Sequence, residues 1–125
     1  MFTAWTRLHG HPAPPGGSIA ENVTGTVVVV ARGELDIATA PALSELLIGH
    51  IAAGITDIGL DTGGLVFCDA AGLGVLVFIE QHLADRGGAL RVFDAPPMLR
   101  RLLEITDLEF LLAESTGCHP ANLAR

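Results

Sequence analysis

A chain of 125 residues, half of them hydrophobic and 17% charged, is long enough to bury the core of one ordinary domain. Its formal net charge of −7 argues against a nucleic-acid partner. All seven of its basic residues are arginine, and the absence of lysine excludes P-loop, protein-kinase and pyridoxal chemistry, each of which needs a lysine at a fixed place.

A short strand is expected around Thr3–Leu8, followed by a Pro/Gly-rich loop from Gly10 to Asn22 that breaks regular structure. The run from Val23 to Arg32 is β-branched without polar alternation, which predicts a strand buried on both faces. Thr39 as cap, Pro41 in the first turn and Leu43, Leu46, Leu47 and Ile51 at helical spacing predict a helix that Gly54 stops. A second buried strand is expected near Asp57–Asp61. After Gly63-Gly64, the segment Leu65–Cys68 leads into Asp69, an N-cap for a helix running to about Asp85. This helix is apolar on every side from Ala70 to Ile79, so its first half is either buried or offered to a partner. The stretch is too short to cross a bilayer, which takes about 20 apolar residues. Ala89–Phe93 reads as a strand, Asp94 as the cap of a helix whose stripe is Met98, Leu99, Leu102 and Leu103, and Phe110–Leu112 as a last strand. Strands alternating with helices predict an α/β domain with a mostly parallel centre. The boundaries are an N-terminal piece over 1–22, a core over 23–114 and an irregular tail over 115–125.

Few constellations offer chemistry. Gly72-Leu73-Gly74 opens a helix after a strand, but Val77 occupies the third glycine position of a dinucleotide fingerprint. Asp36, Asp61 and Asp69 fall at strand ends, where carboxylates cap turns and helices more often than they catalyse. The five histidines are dispersed without metal spacing. Cys68 is either a small buried residue or a thiolate favoured by the helix start beside it, in which case a redox pairing with Cys118 is open. Two cysteines make no disulfide framework, and the N-terminus has no signal-peptide core, which points to the cytoplasm. What is left is the Gly33-Glu34-Leu35-Asp36 turn and the Asp69–Gly74 helix entrance, the features of a docking surface.

These two segments resemble a STAS domain of the anti-sigma factor antagonist (anti-anti-sigma factor) family. Gly33-Glu34-Leu35-Asp36-Ile37-Ala38-Thr39-Ala40 is similar to the family's first signature. Phe67-Cys68-Asp69-Ala70-Ala71-Gly72-Leu73 is similar to its second, Phe-x-Asp-Ser-Ser-Gly-Leu, and the likeness runs from about Val23 to Glu114. It implies a single STAS-type α/β domain, its mixed sheet of about five strands flanked by about four helices. It implies binding, not catalysis, with no cofactor and no metal. The partner would be an anti-sigma factor of the histidine-kinase-type ATPase fold, whose capture releases a sigma factor for transcription, with no nucleic acid contact and no membrane insertion. A homodimer is left open. The implied partner-binding residues are Asp36, Thr39, Asp69, Ala70, Ala71, Gly72 and Leu73. In such proteins the kinase phosphorylates the second serine of Asp-Ser-Ser-Gly to switch binding off. That position is Ala71 here, and there is no Ser, Thr or Tyr from Gly63 to Ile105. Two alternatives stay open: a STAS scaffold or transporter-associated regulatory subunit, and a small-ligand-binding α/β domain.

Overall fold

In the computed structural model, which describes residues 2–8, 11–12 and 25–113, the elements follow in the order β1 (Thr3–Leu8), β2 (His11–Pro12), β3 (Thr26–Leu35), α1 (Ala40–Ala52), β4 (Asp57–Cys68), α2 (Ala70–Ala84), β5 (Ala89–Phe93) and α3 (Pro97–Ile105). Among the described residues, a 3-10 turn, Glu109–Leu111, comes last. The strands form one sheet in the order β2-β1-β3-β4-β5. β3, β4 and β5 are parallel, as crossovers through α1 and α2 require, and β1 runs antiparallel to β3. The parallel centre is what the alternation of elements predicted, and the mixed sheet is what the family resemblance implied.

Register decides which face is buried. Val27 and Val29 lie beside Ile58 and Leu60, which lie beside Leu90 and Val92, and all six belong to the core. Leu43, Leu47 and Ile51 of α1, Leu73, Leu76, Ile79 and Leu83 of α2, and Leu99 and Leu103 of α3 complete it. Each such aliphatic side chain contributes about 1.5–3 kcal/mol relative to leaving it in water. The opposite face presents Trp5 beside Val30 and Arg7 beside Val28. Arg7 reaches Asp61 at 3.4 Å, and the Arg32 guanidinium lies 5.9 Å from the Trp5 ring.

Several boundaries differ from the sequence reading, each for a local reason. The strand begun by the valines runs on to Leu35, because register shifts between Val30 and Arg32 and between Gly33 and Glu34 absorb the irregularity. Gly33 takes a φ of 98°, open to glycine at little cost. Opposite it, Gly63-Gly64 does not end a strand, and Asp57–Cys68 is one strand of 12 residues. Within the segment expected to be all loop, His11 and Pro12 pair with Leu8 and Arg7. Asp94 does not cap α3. It adopts a φ of 56° and leaves the N-cap position to Pro96. Phe110–Leu112 is not a strand: one 3-10 turn is enough to seat Leu111 in the core, and Leu112 keeps a lone bridge to Val92. The expected tail from Ser115, Cys118 included, lies outside the described residues.

Candidate partner-binding site

Parallel pairing of β3 with β4 ends at Leu35 opposite Cys68, which sets the β3–α1 turn beside the entrance of α2. One backbone bond ties them, the Asp69 N–H donating to the Leu35 carbonyl at 3.2 Å. The first turn is closed by its own side chains. Asp36 Oδ1 accepts from the Ala38 and Thr39 amides at 3.0 and 3.1 Å. Thr39 Oγ1 accepts from the Asp36 amide at 2.9 Å and donates to the Glu34 carbonyl at 2.7 Å. The Thr39 hydroxyl is thereby turned back toward β3 and does not cap α1. Thr39 and Asp36 hold this turn together.

Asp69 caps α2, its Oδ1 accepting from the Ala71 amide at 2.9 Å and the Gly72 amide at 3.2 Å. Ala70 is exposed, and Ala71 is half-buried and packs in part against the core. Gly72 and Leu73, the last two residues of the expected contact set, face the interior of this chain. Both are buried, and a Cβ on Gly72 would stand 2.7 Å from Leu35 Cγ and 2.9 Å from Cys68 Sγ. They hold the entrance against the core.

Cys68 faces the same interior. Burial, and secondarily the Asp69 carboxylate beside it, push its thiol up to about 11, the reverse of the lowered value that a reactive helix-start thiolate needs. The three strand-end carboxylates do not converge either. Asp36 and Asp69 serve their own turns, while Asp61 accepts from the Gly63 amide at 3.0 Å and pairs with Arg7. Among the described residues, no group of three or more His, Cys, Asp or Glu side chains could hold a metal ion. No described helix is long and apolar enough to cross a membrane.

The structure adds three residues that sequence reasoning missed. Ile37 in the β3–α1 turn is 78% exposed, and Val66 and Phe67 at the end of β4 are 69% and 47% exposed. Each had a faint signal: Ile37 is an apolar residue inside a polar turn, and Val66 and Phe67 come shortly before the Asp69 helix cap. The long α2 helix resolves likewise into two sides. Leu73, Leu76, Ile79 and Leu83 are buried, while Phe78 is 44% exposed and stacks at 4.3 Å on His82.

Comparison with known proteins fits this geometry. The sequence model described as "Mlab, STAS domain" matches residues 20–113. An anti-sigma-B factor antagonist of Staphylococcus aureus is 32% identical over 89 residues, which are 71% of this chain and 82% of that protein. The crystal structure of an anti-sigma factor antagonist from Mycobacterium paratuberculosis superposes with a TM-score of 0.68 at 25% identity, covering 87% of this chain and 80% of that one. SpoIIAA, a Bacillus cell fate determinant solved in its phosphorylated form, shares the fold with a TM-score of 0.65 at 20% identity, covering 83% and 95%. With the signature turn and the capped helix entrance side by side on this sheet, the chain belongs to the STAS domain family of anti-sigma factor antagonists.

Proposed function

We propose that this protein binds an anti-sigma factor of the histidine-kinase-type ATPase fold in the cytoplasm and so frees a sigma factor, and that kinase phosphorylation cannot switch it off at the usual place. It acts by binding and not by catalysis. The observation that carries the reading is the helix entrance: the Asp69 cap beside the Asp36–Thr39 turn, with Ala70 and Ala71 where the family signature has hydroxyls. The nearest upstream hydroxyl, Thr62, is completely buried and donates to the Phe93 carbonyl at 3.0 Å, so it offers no substitute acceptor. Control then falls to the amount of protein.

Affinity capture from the native host, with mass-spectrometric identification of what is retained, tests the partner. Ala71→Glu puts a charge at the entrance and is expected to release the anti-sigma factor; retention would place the interface elsewhere. Incubation of the captured pair with labelled ATP is expected to leave this chain unlabelled and the pair intact. Label on the 69–74 peptide, or dissociation on adding ATP, would refute the missing off-switch. A second reading, a STAS scaffold or transporter-associated subunit, draws on the same absence of hydroxyls from Gly63 to Ile105. Recovery of transporter components and no anti-sigma factor would select it.

A further inference from the structure

Resting on that reading, we infer that the anti-sigma factor meets this chain with an apolar projection flanked by arginine or lysine side chains. Ile37, Val66 and Phe67 are the most solvent-exposed apolar side chains near the helix entrance, and the pairing of Leu35 with Cys68 brings the segments that carry them to one end of the sheet. The exposed Ala70 opens α2 at that same end, and we take these four apolar side chains as the centre of the surface. Its rim is acidic. Glu34 is exposed and lies across from Phe67, Asp36 and Asp69 flank the turn and the helix start, and none of the three has a salt bridge among the described residues. Arg32, on the same strand, lies against the Trp5 ring and not against these carboxylates. An apolar centre inside a rim of one charge sign is complementary to an apolar patch inside a rim of the other, with the centre setting dissociation and the rim setting association.

The test uses the full chain and each purified histidine-kinase-type anti-sigma factor of the host, with binding rates followed by interferometry and folding checked by circular dichroism. Ile37→Ser combined with Val66→Ser, at two exposed positions, should speed dissociation about tenfold or more. Phe67→Leu keeps the centre apolar and should change it by no more than about threefold. Glu34→Arg should slow association about tenfold at low salt, and less as salt screens the rim. Unchanged dissociation in the serine variant, or association as fast or faster in Glu34→Arg, overturns this inference and leaves the antagonist reading standing. A wild-type chain that binds none of those anti-sigma factors overturns both. If wild type runs as a dimer, the serine variant as a monomer, and anti-sigma binding is untouched, a second copy occupies this surface and the inference fails.

Discussion

Gly72 shows how one missing methyl group sets the position of a helix. Its Cα face lies so close to Leu35 and Cys68 that α2 can start immediately against β3. Gly72→Ala must push a packed leucine and a buried thiol, and such overpacking costs about 1–3 kcal/mol; a urea midpoint equal to wild type would contradict this. Asp69 was legible from sequence because a carboxylate before an apolar helical run has one dominant use, the bond to the free amides of the first turn. Thr39 was not, since a hydroxyl before a helix can bond forward or back, and only the course of Glu34 decided the direction. Ile37, Val66 and Phe67 escaped for a different reason: an exposed apolar residue and a core one are the same letter until a third dimension exists.

At the scale of elements, β1 is attached to the domain by its pairing with β3, by the Arg7–Asp61 ion pair, and by a side-chain bond of 2.7 Å between Thr6 Oγ1 and His50 Nε2 in the last turn of α1. Burial lowers the His50 pKa from its usual 6.5, so the unfolded chain takes up a proton before the folded one does. Stability from this group is therefore complete above 6.5 and is lost as pH falls below that value. Urea midpoints of wild type should drop between about pH 7.5 and 5.5, and the drop should be smaller in His50→Gln. Equal drops would show that other groups account for it. Helices were the more legible elements, because an apolar stripe at helical spacing survives variation at its ends. The length of β4 was hidden because two glycines mark a turn and a bulge alike, and the choice depends on the partner strand. The 3-10 turn at Glu109–Leu111 was hidden because three apolar residues are too few to show a period.

Across the described residues, one continuous core joins one face of the sheet to α1, α2 and α3. Trp5, the only tryptophan, sits on β1, while Leu99 is fully buried on α3, which follows the opposite edge strand. Leu99→Ala should therefore cost about 2–5 kcal/mol and move the Trp5 fluorescence and far-ultraviolet transitions together. Transitions that separate would mean that the α3 end unfolds on its own. The fold class was legible because a two-layer α/β core demands exactly the kind of apolar strands and one-sided helices that the sequence spells out. The recognition surface was legible only as a location, since its chemistry depends on which side chains the fold leaves in water.

The bond between the Asp69 amide and the Leu35 carbonyl has an evolutionary consequence. Because backbone atoms and buried residues join the two turns, the geometry of the surface does not depend on Glu34, Ile37, Val66 or Phe67. Under the interface proposed above, duplicated copies of such a gene can exchange those four positions, each acquiring its own partner, while inheriting an unchanged platform. Insulation between parallel signalling pathways in one cell then requires a few surface substitutions and no new architecture.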